Sequence, residues 1–171
     1  MIIYPWNKYW MFDRKILKRI FHNYFLVKRY PFLRPSCGWS VSMDYWPKGY
    51  KYRYEETWLD SIPEGWRNLA LQLCEELKQI IKEDGLKNYA VHQTKEKWGV
   101  LNWYDEGGNA RTFALKEKYE NLSREVCLHC GKTPTTYATT KWVTYICDDC
   151  AKQLFDNNPE IVVKRKNKAT I

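Results

Sequence analysis

Four cysteines form two pairs in the C-terminal part of this 171-residue sequence. Two residues separate Cys127 from Cys130, two separate Cys147 from Cys150, and 16 lie between the pairs. This spacing lets both sulfurs of a pair reach one ion, and four thiolates at tetrahedral corners are a usual ligand set of structural zinc. The pattern therefore predicts a zinc ion with no open coordination position, which is a structural and not a catalytic site.

Other interpretations of these cysteines stay open at this point. Two disulfides would use the same residues, although a cytoplasmic location disfavours them. Iron bound by four thiolates, or an iron–sulfur cluster, suits the same ligands. His129 lies within the first pair and could replace one of its cysteines.

The residues around the pairs predict the elements that would hold the metal. Gly131 suits a turn with positive φ, residues 136–145 have strand composition, and residues 150–155 begin a helix that Pro159 would end. A knuckle, a hairpin and a helix that carries the second pair in its first turn resemble a treble-clef zinc finger. The positive end of that helix would favour the thiolates.

The residues before the finger predict three helices and a hairpin. The first helix spans residues 13–29 and ends before Pro31, and we expect it to pack on the core through the apolar stripe Ile16, Leu17, Ile20, Phe21, Tyr24 and Val27. The second runs from Ser61, with a capping box to Glu64, as far as Gly85. Residues 89–94 and 100–104 predict a hairpin, and Leu115, Tyr119, Leu122 and Val126 mark the third helix.

These elements indicate an α+β protein in which helices pack with a small antiparallel sheet and a treble-clef-like finger follows. We divide the chain into a basic aromatic N-terminal segment (1–35), an α+β body (36–126), the finger (127–158) and a basic tail (159–171).

Basic residues are concentrated at the two ends of a chain whose formal net charge is +8. Such ends on a nearly neutral body favour an anionic partner, such as nucleic acid, a nucleotide or an acidic protein face, over the alternative of an ordinary solvated surface. The candidate binding residues of the ends are Arg14, Lys15, Lys18, Arg19, Lys28 and Arg29 in the first helix, and Lys164, Arg165 and Lys166 in the tail.

Aromatic residues make up 16% of the chain, which indicates an aromatic core, a contact surface, or both. Tyr50, Tyr52 and Tyr54 alternate with Lys51 and Arg53, which predicts a strand with one aromatic face. Tyr50, Tyr52, Arg53 and Tyr54 are further candidate binding residues, since such rings stack on bases while cations meet phosphates. The interpretation that we favour for this segment is the plainer one, a half-buried strand with a solvated face.

The sequence offers little for catalysis or for membrane insertion. It contains none of the common nucleophile or phosphate-loop motifs, so we name no catalytic residue. Asp44, Asp60, Asp105 and Glu106 could contribute to a hydrolytic metal site, but their spacing is not diagnostic. No stretch approaches the roughly 20 apolar residues of a spanning helix, and we expect a cytoplasmic protein without a membrane partner.

Four groups of residues carry a family resemblance: YPFLRP at 30–35, DSIPEGWR at 60–67, KEKWG at 95–99 with WYD at 103–105, and the two cysteine pairs. Over about residues 30–150 they resemble a family of small hypothetical proteins encoded by bacteriophages and prophages. The resemblance implies a phage context, in which small accessory proteins serve host takeover or counter-defence. It implies no catalytic residue.

The leading hypothesis is therefore a non-enzymatic phage accessory protein in the host cytoplasm. It would bind a host or defence component, such as a nucleoprotein complex or nucleic acid. One alternative is a protein that sequesters a small nucleotide signalling molecule, and another is a metal-dependent nuclease.

Overall fold

The computed structural model describes residues 14–35, 51–138, 143–155 and 164–165. Within them the helices are α1 (Arg14–Arg29), α2 (Arg67–Glu83), α3 (Ala110–Ser123) and α4 (Asp148–Phe155). Strands β1 (Ala90–Lys97) and β2 (Val100–Glu106) form an antiparallel pair. Strands β3 (Thr135–Ala138), β4 (Val143–Ile146) and β5 (Lys164–Arg165) form a second sheet in the order β4-β3-β5. The predicted α+β class is confirmed.

Helix α1 has the predicted length, but the prediction that its apolar stripe packs on the core is wrong for half of the stripe. Leu17, Phe21 and Tyr24 are exposed. The buried positions are Asn23, Leu26 and Val27, because the helix is turned so that this side faces the body. Pro31 then opens a 3-10 turn (Pro31–Leu33) whose last two side chains are buried.

Helix α2 begins at Arg67, six residues after the predicted N-cap Ser61. Two 3-10 turns, Trp58–Ser61 and Glu64–Trp66, precede it. Pro63 disfavours helical geometry at Ile62, which is extended with φ −100° and ψ 152°. The Ser61 hydroxyl donates to the Thr94 carbonyl at 2.6 Å, so the predicted cap is wrong and Ser61 instead joins the turn to β1.

The β1–β2 hairpin is confirmed, with a two-residue turn. Trp98 and Gly99 have φ of 56° and 80°, as a type I′ turn requires, and this turn suits the right-handed twist of the strands. One face of the hairpin lies on the core through Val91, Leu101 and Trp103.

The strand predicted around Tyr52 and Tyr54 does not form. The segment 51–57 contains a bend, and Tyr54 has φ 66°. A left-handed residue interrupts the extended geometry that alternation needs, so the two rings do not share one strand face. Tyr50 lies outside the described residues.

The buried side chains form two clusters. The larger one centres on Trp58, Trp66, Leu73 and Leu77, all at most 1% exposed, and receives the end of α1 and one side of α3. Val126, predicted to belong to α3, lies beyond its end in the turn that leads to the first cysteine pair. The smaller cluster consists of Cys127, Ile146, Cys147 and Ala151, and the half-buried Leu128 packs against both clusters.

Candidate metal centre and aromatic–basic surface

The four cysteines of the two pairs come together. The Sγ atoms of Cys127, Cys130, Cys147 and Cys150 all lie within 4.8 Å of one another. Sulfurs at tetrahedral corners about 2.3 Å from a zinc ion are about 3.8 Å apart, so the cluster has the dimensions of a four-thiolate metal site. None of the four is in a disulfide, and the Sγ atoms of Cys130 and Cys147 are 3.5 Å apart.

A tight turn presents the first pair. The Cys127 N–H donates to the Lys132 carbonyl at 2.7 Å, and the Gly131 N–H donates to the Cys127 carbonyl at 2.9 Å. Gly131 has φ 76°, as the sequence predicted, because the chain must reverse in the left-handed region directly after the pair. His129 is exposed and stays outside the sulfur cluster.

The start of α4 presents the second pair. Cys147 directly precedes the helix, and its carbonyl accepts the Ala151 N–H at 2.9 Å. Cys150 lies in the first turn, so both sulfurs are near the positive end of the helix. Cys127 and Cys147 are buried while Cys130 is exposed, which places the site at the surface of the lobe.

Burial, backbone N–H donors and neighbouring thiols shift the pKa values of these cysteines. Burial acts to raise the pKa of Cys127, but backbone N–H donors, first those of Cys130 and Cys147, outweigh it and lower that pKa to about 7. Burial raises the pKa of Cys150, and hydrogen bonds with the other thiols raise it further. Four thiols this close cannot all ionise without a cation between them, so the cluster is suited to a divalent ion.

The cysteine turn rests directly on the body of the protein. The Gly65 N–H donates to the Leu128 carbonyl at 2.9 Å, and the Trp66 indole N–H donates to the Val126 carbonyl at 3.0 Å. A Cβ atom on Gly65 would lie 2.1 Å from the Cys127 carbonyl oxygen, which leaves room only for glycine. The hairpin turn makes a second contact, where a Cβ on Gly99 would lie 2.8 Å from the Val143 carbonyl.

Helix α1 presents a row of apolar side chains to solvent. Leu17, Phe21 and Phe25 follow one another at four-residue spacing and are 46%, 66% and 54% exposed. The Phe21 and Phe25 rings meet edge to face with centroids 4.8 Å apart, and Tyr24 joins Phe25 at 5.3 Å. The helix contains no acidic residue, and its exposed cations include the predicted Arg14, Lys15, Lys18, Arg19 and Lys28.

The segment 52–54 adjoins this face of α1. The Tyr24 and Tyr54 ring centroids are 5.1 Å apart, and those of Tyr54 and Tyr52 are 4.9 Å apart. The Arg34 guanidinium lies 5.1 Å from the Tyr52 centroid. The structure thus joins two predicted sets of binding residues into one continuous aromatic–basic surface, which we define as the exposed face of α1 together with Arg34 and residues 52–54.

The tyrosines of this surface are less available than the phenylalanines. The Tyr52 ring is half-buried and its hydroxyl donates to the Glu56 carbonyl at 2.7 Å. Tyr54 is half-buried against Tyr24, whereas Arg53 is exposed. The most accessible rings of the surface are therefore Phe21 and Phe25.

The buried side chain of Asn23 connects α1 to the segment 52–54 on the inner side of the aromatic–basic surface. The Asn23 side chain is 0% exposed, and Nδ2 donates to the Tyr54 carbonyl at 3.1 Å and lies 3.5 Å from Asp60 Oδ2. A non-glycine residue at positive φ costs about 1–2 kcal/mol, so Tyr54 needs such an anchor.

The remaining predicted binding residues lie at the end of α1 and in the tail, and those that the structure describes interact with other parts of the protein. Arg29 is paired with Glu75 of α2, so its charge is partly neutralised. Lys164 and Arg165 form β5, which pairs with β3 beside the cysteine lobe. Lys166 lies outside the described residues.

Three of the carboxylates that the sequence offered for a hydrolytic site lie in the described part of the chain, and each one interacts with another residue of the protein. Asp60 accepts the Thr57 N–H at 2.6 Å, Asp105 pairs with Lys116, and Glu106 lies 3.2 Å from His92 Nε2. In the described part of the chain, the four cysteines are the group able to hold a metal ion. Asp44 lies outside that part.

Sequence reasoning missed Phe25, Asn23 and Arg34 as parts of the surface. Phe25 could have been found, because α1 carries two apolar rows, one with Ile16 and Ile20 and one with Phe21 and Phe25, and a single core can cover only one of them. Asn23 and Arg34 leave no such local signal, since their partners lie far along the chain.

Comparisons of this chain with protein-family models, with curated proteins and with solved structures gave no match. None of the described helices has the length and apolar character needed to cross a membrane.

Proposed function

We propose that this chain is a zinc-stabilised, non-enzymatic binding protein that docks on an anionic partner through the aromatic–basic surface. The observation that carries the proposal is the outer face of α1. Large apolar side chains are exposed there beside cations, and the helix contains no carboxylate that would repel such a partner.

Zinc is the metal that best suits the cysteine cluster. Four thiolates at these spacings are a common structural zinc set, and a site without an open position supplies folding energy and not chemistry. The turn with the first pair, the β3–β4 hairpin and the start of α4 follow one another in the order of a treble-clef finger. This order supports that fold for the lobe.

Metal analysis tests the zinc assignment. We expect one zinc per chain after purification without added metal, and loss of that zinc in the Cys127→Ser variant. Cys74→Ala is the matched control, because Cys74 is buried in the main core away from the cluster and its loss should leave the zinc content unchanged. Iron in place of zinc, or equal zinc in both variants, would contradict the assignment.

The phage context suggested by the sequence supports a host or defence component as the partner. Aromatic side chains and arginine are enriched at protein interfaces, and truncation of such residues often has a large effect on affinity. A small accessory protein in the host cytoplasm would use such a surface to occupy a nucleoprotein complex or its nucleic acid.

A capture experiment from bacterial extract, with and without nuclease, tests this function. The full-length protein is compared with the double variant Phe21→Ala/Phe25→Ala and with Phe113→Ala, which removes a ring that is also 66% exposed but lies on α3. We expect wild type and Phe113→Ala to retain the same partner and the double variant to lose it. Equal capture by all three proteins would exclude the α1 surface.

A further inference from the structure

We infer that the aromatic–basic surface contacts single-stranded nucleic acid, with Phe21 and Phe25 stacking on bases and the α1 cations contacting phosphates. This inference rests on the proposed function, since it names the partner class of the same surface.

The arrangement of charge on α1 favours nucleic acid over a protein groove. The apolar centre of a protein interface is depleted of charged residues. On α1, Lys18 precedes Phe21 by three residues and Lys28 follows Phe25 by three, so cations and rings are neighbours on one helix face. The Lys28 ammonium lies 5.5 Å from the Tyr24 ring centroid, within the aromatic group. A nucleic acid strand offers the matching alternation of base faces and phosphates at short range.

The exposure of the phenylalanine rings on α1 favours a single strand over a duplex as the partner. A stacked duplex hides its base faces, and specific readout in its grooves uses hydrogen bonds to base edges. Phenylalanine has no group for such bonds, but its ring can stack on any unpaired base. The 16-residue helix is about 24 Å long, which lets its cations follow several phosphates of an extended strand.

Fluorescence anisotropy with a labelled 20-nucleotide oligothymidine tests the inference on the full-length protein. We expect binding that weakens as salt rises from 50 to 200 mM. Phe21→Ala/Phe25→Ala should reduce the affinity about tenfold or more, because each base stack is worth at least several-fold, while Phe113→Ala should leave it unchanged. Circular dichroism melting of each variant checks that folding is retained.

Variants that remove one lysine charge separate the contribution of phosphate contacts to the affinity from the contribution of base stacking. The plot of log affinity against log salt has a negative slope. Lys18→Gln should make that slope less negative by about 0.7, the value for one phosphate contact on a single strand. Lys82→Gln on α2, also exposed, is the matched control and should keep the wild-type slope.

Three results would overturn the inference. The first is no binding of the oligothymidine, and the second is equal affinity of the double phenylalanine variant and Phe113→Ala. The third is a duplex bound as tightly as the single strand. If a nuclease-resistant protein were still captured through Phe21 and Phe25, the proposed function would stand and the single-strand inference alone would fail.

Discussion

At the scale of single residues, Gly65 is the point where the cysteine turn touches the body. Its N–H bonds to the Leu128 carbonyl, and the Cys127 carbonyl occupies the space that a side chain would need. Any side chain at this position must push the first cysteine pair away from the 3-10 turn that precedes α2.

Gly65→Ala should therefore destabilise the protein by about 3 kcal/mol, because a methyl group would overlap backbone atoms of Cys127 and Leu128, which cannot move without the cysteine cluster. Gly85→Ala is the control: Gly85 has φ 65°, which favours glycine, but nothing lies within 4 Å of its Cβ position, so that variant should lose only about 1 kcal/mol. Urea unfolding of both variants measures the difference, and equal losses would show that the contact is not tight.

Asn23 has a comparable role beneath the aromatic–basic surface. Asn23→Leu keeps the branched shape of the side chain but removes the donor to the Tyr54 carbonyl, which should cost about 1–3 kcal/mol and expose the chain at Arg53 to trypsin. Asn121→Leu, at an exposed position on α3, should change neither quantity. Wild-type resistance to trypsin in Asn23→Leu would show that Tyr54 is held by other contacts.

At the scale of elements, the carboxylates of Glu75 and Glu76 on α2 form hydrogen bonds and ion pairs with residues at the end of α1 and on α3. Glu75 accepts the Tyr30 hydroxyl at 2.6 Å and pairs with Arg29 at the end of α1. Glu76 accepts the Tyr119 hydroxyl of α3 at 2.6 Å and the Lys118 ammonium at 2.9 Å. The hydrogen bonds from Tyr30 and Tyr119 are the main causes that lower the pKa of Glu75 and of Glu76, respectively.

These lowered pKa values predict a pH dependence of stability. A carboxylate whose pKa is lower in the folded than in the unfolded state stabilises the fold above its unfolded pKa, and the effect is lost as pH falls through the folded pKa. We expect Glu76→Gln to lower Tm at pH 7 and to lose less Tm than wild type between pH 7 and pH 3. The exposed Glu125→Gln should follow the wild-type curve, and a Glu76→Gln curve parallel to wild type would contradict the role of Glu76.

At the scale of the whole molecule, the buried side chains form two clusters, and the four cysteines that could hold a metal ion lie with the smaller one. The cysteine cluster belongs to the smaller set of buried residues, while Trp58, Trp66 and Leu77 belong to the larger one. Gly65 and Trp66 link the two through hydrogen bonds to residues 126–128, and the hairpin turn at Gly99 makes a second contact with Val143.

Removal of the metal should therefore loosen the lobe first. After chelation we expect the Leu128 amide, which donates to the Tyr145 carbonyl at 3.1 Å, and the Gly65 amide to lose protection from hydrogen exchange. The Leu77 amide in the middle of α2 should remain protected. The same pattern in Cys127→Ser without chelator is the control, and full protection at Leu128 after chelation would show that the lobe folds without metal.

Local regularities allowed much of this structure to be predicted. The spacing of the cysteine pairs identified residues that meet at one point, because a two-residue gap lets both sulfurs of a pair face one ion and four such sulfurs make a complete ligand set. Periodicity located α1, α3 and the body of α2, and alternation with a Gly-containing turn located the β1–β2 hairpin. These features depend on residues a few positions apart.

The tertiary structure decided which side chains are buried and which distant residues are in contact. The sequence of α1 has two apolar rows, and only packing against the body determined that Leu26 and Val27 are buried while Phe21 and Phe25 are exposed. Asn23 and Tyr54 are 31 residues apart, so nothing local could show that they meet or that Tyr54 leaves the extended conformation. Residue spacing by itself identified the four candidate metal ligands, whereas the aromatic–basic surface exists only because burial of the core brings distant segments together.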